Sequence, residues 1–141
     1  MPAKTLEGRA EDVRACIACN QACIGHFHKG LPISCIQHPE TGRELVFGEL
    51  QQAVKPKRIM VVGGGPAGMK AAAVAAKRGH AVTLYEASGQ LGGQVLLAQL
   101  LPRRSEFGGA STNLQREMEL AGVCVVRNTR VDRALVEQEQ P

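Results

Sequence analysis

Residues 58–68 read RIMVVGGGPAG, and this pattern is the strongest indication of fold class in the chain. Residues 59–62 form a short, apolar and partly β-branched run, which is typical of a strand buried on both faces. The glycines that follow fill the three positions of the pattern GxGxxG, which are Gly63, Gly65 and Gly68. In a dinucleotide-binding fold the first glycine allows a tight turn, the second lets the backbone approach a pyrophosphate, and the third lets helix and strand pack closely.

The residues after these glycines strengthen the interpretation. Pro66 suits the first position of a helix, and residues 67–78 are rich in small helix formers before Gly79 ends the run. The free N–H groups at such a helix start would face phosphate oxygens. Residues 81–85 predict a second strand, and Glu86 at its end stands where the fingerprint needs an acceptor for ribose hydroxyls. The alternative is a glycine-rich turn that joins strand to helix without a ligand.

A second glycine-containing loop follows at residues 92–94. It indicates that the backbone again passes close to a bulky group, and a loop that turns without a ligand is the alternative. Arg103 and Arg104 are expected to be exposed charges, although their place after this loop would also let them reach a pyrophosphate.

The last third of the chain continues the alternation of helix and strand. Either Ser111 or Thr112 is expected to cap the next helix. Residues 123–126 (VCVV) predict a third buried strand, which would place Cys124 in the core. Asp132 is expected to cap a final short helix.

Four of the five cysteines lie close together near the N-terminus, with the spacing C-x2-C-x3-C-x11-C; they are Cys16, Cys19, Cys23 and Cys35. A 4Fe-4S cluster needs four thiolates and tolerates such irregular spacing. Structural zinc also takes four cysteines but usually shows two separated C-x2-C pairs, and disulfides or free thiols are the third possibility. The nearby histidines are expected to be surface residues, because four cysteines already complete such a site: His26, His28 and His38.

Composition sets further bounds. The 141 residues carry a formal charge of +4, have a pI near 9.0 and contain no Trp. The basic residues are scattered without aromatic neighbours, so we expect no nucleic-acid partner. No apolar run is long enough for a membrane helix, and the N-terminus is too charged for a signal peptide. We therefore expect a cytoplasmic protein without a membrane partner, in which thiols serve as ligands more readily than as disulfides.

With the glycines and cysteines placed, the sequence resembles one family. It is similar to the middle of the iron–sulfur flavoproteins that include bacterial 2,4-dienoyl-CoA reductase, trimethylamine dehydrogenase and the N-methyl amine demethylases. The matching stretches are RACIACNQAC, ISCIQHPETGRE, IMVVGGGPAGMKAAAVAAKRGHAVTLYEA, LGGQ and LPRRSEF. Together they cover most of residues 14–137, in the family's order.

The resemblance implies two cofactors. The four cysteines would hold a 4Fe-4S cluster. An FAD or ADP site would be formed by Gly63, Gly65, Ala67, Glu86, Gly93 and Gln94. We expect their neighbours Pro66, Gly68 and Ala87 to line the same site. No catalytic residue is implied.

The expected fold class is α/β, with a partial Rossmann-like FAD/NAD(P)-binding parallel sheet preceded by a small four-cysteine cluster-binding module. We expect residues 1–13 to be a tail or severed linker and residues 14–54 to be the iron–sulfur module. Residues 55–141 would form the FAD/ADP-binding domain, truncated at its C-terminus.

Members of this family also carry an eight-stranded barrel with FMN and the substrate, and a nicotinamide-binding insertion. Electrons pass between their two flavins through the cluster. This sequence shows neither region, so we expect the electron-transfer portion of an FAD- and 4Fe-4S-dependent oxidoreductase, a fragment or subunit that is not complete alone. FMN, NAD(P)H and an FMN-barrel subunit would belong to a full-length or partner context. The alternative is a non-catalytic nucleotide-binding module with a zinc knob, or a partner subunit of a split enzyme.

Overall fold

A three-stranded parallel sheet forms the centre of the computed structural model, which describes residues 2–141. Its strands lie in the order β1 (Arg58–Val62), β2 (Ala81–Tyr85) and β3 (Cys124–Val126). Val62 lies opposite Tyr85 at the carboxyl end of the first pair, and Tyr85 lies opposite Val126 in the second. The expected α/β class with a parallel sheet is confirmed.

Helices connect and cover these strands. Within residues 2–141 they are α1 (Pro2–Leu6), α2 (Ile24–Phe27), α3 (Glu44–Phe47), α4 (Pro66–Lys77), α5 (Val95–Ala98), α6 (Gly108–Ala121) and α7 (Arg133–Glu139). Short 3-10 turns lie at Ala10–Asp12 and Ser105–Phe107. None of the helices in this part of the chain is long and apolar enough to cross a membrane.

The core lies where α4 and α6 pack against the sheet. Its fully buried large side chains are Met69 on α4, Leu84 on β2 and Met118 on α6. The alanines at the middle of α4, Ala72 and Ala73, are completely buried as well. Small side chains on this face let the helix approach the sheet closely, which places the start of α4 at the carboxyl end of β1.

Two sequence expectations in the last third of the chain are wrong. The helix α6 begins at Gly108, and Ser111 lies buried inside it, where its Oγ donates a hydrogen bond to the Leu91 carbonyl at 3.1 Å. Neither Ser111 nor Thr112 therefore caps the helix. Cys124 is exposed because it is the first residue of the short strand β3, which pairs only with β2 within the described residues.

The expected cap of the final helix is confirmed. Asp132 Oδ1 accepts a hydrogen bond from the Leu135 N–H at 2.9 Å, and α7 extends from there to Glu139. The side chain satisfies one of the N–H groups that a helix start leaves unpaired.

Candidate dinucleotide site and cysteine loop

The fingerprint forms a tight strand–turn–helix unit. Gly63 follows β1 with a φ of +102°, a conformation that favours glycine. Gly65 is the N-cap of α4 and Pro66 is its first residue. A Cβ on Gly68 would overlap the Gly63 carbonyl oxygen, so the helix and the turn are in direct contact. The first and third glycines thus have the steric roles that the fingerprint assigns to them.

The same turn leaves open space above its backbone. A Cβ built on Gly63 or on Gly65 would meet no heavy atom within 4 Å. Pro66 has no N–H, and the next N–H groups of α4 belong to Ala67 and Gly68, in the first turn of the helix, where no partner exists within the helix itself. The cradle therefore fits the diphosphate of a dinucleotide in both shape and polarity.

The second glycine loop packs onto the first. The Gly92 N–H donates to the Gly64 carbonyl at 2.8 Å. A Cβ on Gly93 would lie 3.2 Å from the Gly65 Cα, and Gly93 has a φ of +52°. The structure therefore brings Gly93 and the exposed Gln94 to the fingerprint, although they are well separated from it along the chain.

Glu86 joins the two strand ends. Its Oε1 accepts from the Ser88 N–H at 2.7 Å, and its Oε2 accepts from the Gly64 N–H at 2.6 Å. These backbone hydrogen bonds, that of Ser88 first, lower the pKa of Glu86, so the side chain is a carboxylate at neutral pH. Its charge and its remaining acceptor capacity suit the ribose hydroxyls that the sequence predicts, and its neighbour Ala87 is exposed beside it.

The sequence predicts a turn over residues 128–132, after β3, but it does not show what this turn contacts. The Asn128 N–H donates to the Ser88 carbonyl at 3.0 Å, and the Thr129 N–H donates to the Glu86 carbonyl at 2.9 Å. This loop therefore supports the one that carries the acidic residue. Asn128 has a φ of +54°, and an asparagine in a predicted turn is the signal that could have found it.

Arg103 and Arg104 are exposed, as expected from the sequence. The guanidinium of Arg104 stacks 5.5 Å from the centre of the Phe107 ring. It is thus engaged with its own turn.

The four clustered cysteines share one closed loop. Its far side folds back through a hydrogen bond from the Ser34 N–H to the Ala22 carbonyl at 2.8 Å, which brings the chain at Cys23 beside the chain at Cys35. Near its start, the Ala18 N–H donates to Cys16 Sγ at 3.4 Å. Cys16 is exposed and the other three thiols are half-buried.

The number and type of these donors fit a four-thiolate centre, but their placement does not yet form one. Among residues 2–141, no group of three or more His, Cys, Asp or Glu side chains is arranged to hold a metal ion. His26 bonds within the loop, with its Nδ1 at 2.9 Å from the Pro32 carbonyl oxygen.

A cleft of about 550 Å³ separates the cysteine loop from the start of α4. Ile17, Cys19 and Ile36 lie on the side of the cysteine loop. Pro66 and Ala67 lie on the side of the fingerprint, and α5 and α6 add further apolar side chains, among them Val95 and Leu114. The expected metal module and the expected nucleotide module therefore border the same space.

Comparisons with known proteins bear on the family. The model of the FAD dependent oxidoreductases matches residues 58–124. An NADH oxidase from Thermoanaerobacter brockii is 44% identical over 93% of this chain, and an N,N-dimethylglycine/sarcosine dehydrogenase from Chromohalobacter salexigens is 40% identical over 99%. The solved structure of a 2-naphthoyl-CoA reductase complex matches 99% of the chain with a TM-score of 0.93 at 33% identity. The chain is related to a part of these enzymes and contains an FAD dependent oxidoreductase domain.

The relationship covers a limited part of each relative. The chain spans 20% of the length of the NADH oxidase, 20% of the dehydrogenase and 21% of the reductase. It corresponds to an FAD-dependent oxidoreductase portion of such enzymes. The family resemblance that the glycines and cysteines predict is confirmed.

Proposed function

We propose that this chain is the electron-transfer portion of an FAD- and 4Fe-4S-dependent oxidoreductase. The observation that carries the proposal is the shared cleft, which has Cys19 on one wall and Ala67, at the start of the nucleotide-binding helix, on the other. A flavin and an iron–sulfur centre held on these two walls would be close partners. FMN, a nicotinamide cofactor and the substrate would then belong to other parts of the enzyme or to a partner subunit.

The chain's own residues have defined roles in this proposal. Gly63 and Gly65 leave room for the diphosphate of FAD, and the N–H groups of Ala67 and Gly68 face its charge. Glu86 accepts hydrogen bonds from the ribose. The neighbouring Ala87, Gly93 and Gln94 line the approach, and Pro66 fixes the direction of the helix.

The proposed metal centre is assigned to the four clustered cysteines. Cys16, Cys19, Cys23 and Cys35 would bind a 4Fe-4S cluster as thiolates, and the closed loop supports this because it already holds two of the four chain positions together. An FAD held by the cradle would supply a group that takes electrons in pairs and gives them up one at a time, and a cluster held by these thiolates would accept them singly. The two sites together would therefore suit a relay between two-electron and one-electron partners.

Calorimetric titration tests the nucleotide part. We expect the chain to bind FAD and ADP with a stoichiometry of one, because the cradle and Glu86 recognise the ADP moiety that both contain. Adenosine, which lacks the diphosphate, is the matched control and should bind far more weakly. Absence of binding by both FAD and ADP would contradict the proposal and favour a module that serves only as a structural or docking piece.

A further inference from the structure

A buried carboxylate on α6 gathers three cations from different parts of the chain. The Glu117 side chain is 6% exposed. Its Oε2 accepts from Arg14 Nη2 at 2.9 Å, and its Oε1 accepts from Lys70 Nζ at 2.8 Å and Lys77 Nζ at 2.6 Å. Lys70 and Lys77 belong to α4, whereas Arg14 stands at the beginning of the cysteine loop. Glu117 thus connects the nucleotide-binding helix to that loop.

The other end of the cysteine loop, near Gln37, is hydrogen-bonded to α6, the helix that carries Glu117. Arg14 Nη1 donates to the Gln37 carbonyl at 2.8 Å, and Gln37 Nε2 donates to the Ala15 carbonyl at 2.9 Å. Asn113 of α6 then donates to both partners through its Nδ2, at 3.1 Å to the Ala15 carbonyl and 2.7 Å to Gln37 Oε1. The segments before Cys16 and after Cys35 are therefore tied to each other and to α6.

Charge and burial explain why these contacts fix the position of the cysteine loop. An isolated buried carboxylate is costly, and three hydrogen-bonded cations offset that cost at this one position. Arg14 can contact Glu117 and the Gln37 carbonyl together because its planar guanidinium carries several donors in a fixed geometry. A loop with two free ends would otherwise move independently of the helices. Ile17, which is buried and would lie 3.3 Å from a Cβ on Gly109 of α6, adds an apolar contact beside the ion pairs.

We propose that Arg14, Gln37, Asn113 and Glu117 are positioning residues that hold both ends of the cysteine loop against the nucleotide-binding helices and so set the orientation of its thiols. The four residues together are called the loop clamp. Its significance for electron exchange rests on the proposed function, but its effect on the thiols does not, because it concerns contacts within the chain.

A pair of matched variants separates positioning from general stability. Arg14→Met and Lys77→Met each remove one cation from Glu117, but only Arg14 also reaches Gln37. The readout is the alkylation rate of each cysteine in the reduced, metal-free chain, resolved by mass spectrometry and normalised to the exposed Cys124.

We expect Arg14→Met to accelerate alkylation of the half-buried thiols Cys19, Cys23 and Cys35 about tenfold, which corresponds to a shift of about 1.4 kcal/mol in loop opening. Lys77→Met should leave their rates within about twofold. Asn113→Ala, which spares the ion pairs, should act like Arg14→Met and serves as the second variant if Arg14→Met folds poorly. Equal acceleration in Arg14→Met and Lys77→Met, or none in Arg14→Met and Asn113→Ala, would overturn the proposal.

The proposed function can fail separately. If the unmodified chain binds neither FAD nor iron while the alkylation pattern is as expected, the loop clamp stands and the electron-transfer role does not. If the chain binds both and the alkylation pattern is absent, the role stands and the loop clamp does not. ADP affinity should be unchanged in Arg14→Met, because the clamp touches none of the residues assigned to the diphosphate.

Discussion

Replacing Gly65 by alanine should affect the stability of the fold and the affinity for ADP in different ways. Gly65 has φ −73° and ψ 172°, an extended conformation that alanine adopts without strain. Its added Cβ would meet no heavy atom within 4 Å. Alanine at a compatible position stabilises a protein by about 0.4–1 kcal/mol, because it reduces the freedom of the unfolded chain. The free energy of unfolding of Gly65→Ala should therefore be unchanged or slightly higher.

The same methyl group would occupy the space that we assign to the diphosphate. Forcing a methyl into a close contact costs about 1–3 kcal/mol. Since about 1.4 kcal/mol is a tenfold change in an equilibrium constant, the Kd for ADP should rise about 5- to 140-fold. Urea unfolding and calorimetric titration measure the two effects on one sample of the variant.

Gly68→Ala is the matched control. Its Cβ would overlap the Gly63 carbonyl oxygen, so this variant should lose about 1–3 kcal/mol of stability, in contrast to Gly65→Ala. If Gly65→Ala binds ADP as tightly as the unchanged chain, the open space above Gly65 is not the diphosphate site and our reasoning is refuted.

Three further predictions concern carboxylates. Glu117→Gln should lower the free energy of unfolding by about 1.5–3 kcal/mol, because it removes the charged acceptor that three partly exposed cations share. Glu119→Gln, on the exposed side of the same helix, should change it by less than about 1 kcal/mol, and urea midpoints measure both effects. Burial raises the pKa of Glu117, but the hydrogen bonds of Lys70 and Lys77 and the charges of Lys70 and Arg14 outweigh it and leave the pKa lowered. Its stabilisation should therefore be complete above the unfolded carboxyl pKa of about 4.3 and disappear as the pH falls through the lower folded value, so the urea midpoints of the unchanged chain and Glu117→Gln should converge in acid. Glu86→Gln, whose amide nitrogen cannot accept from the N–H groups of Gly64 and Ser88, should cost about 1–3 kcal/mol of stability and weaken ADP binding in the same titration.

Short sequence patterns predict the elements whose limits are set by neighbouring residues. The strand expected over residues 81–85 and the helix expected over 67–78 match β2 and α4 closely, because a glycine-rich turn, an N-terminal proline and a terminal glycine mark their limits. The acidic residue after β2 was found for the same reason, since the fingerprint fixes its position in the unit.

Contacts between distant residues could not be predicted in this way. Arg14 and Glu117 are 103 positions apart, and neither belongs to a pattern that points to the other. The valines beside Cys124 favour a core position for it, but hydrophobic composition does not show that β3 is short and begins at an exposed residue. Ser111 has the residue type of a helix cap, but α6 begins earlier, at Gly108. Ser111 therefore lies inside the helix, where its buried hydroxyl donates a hydrogen bond.

The content of iron and flavin in one sample shows whether the chain binds both cofactors of the proposed electron-transfer portion. The chain would be produced and purified without oxygen, incubated with ferrous iron, sulfide and FAD, freed of unbound cofactors, and assayed for iron, zinc and flavin. We predict about four irons and one FAD per chain, with zinc near zero, and loss of iron but not of FAD in Cys19→Ser. Zinc bound in place of iron, or a chain that retains neither iron nor flavin, would contradict the proposed electron-transfer function.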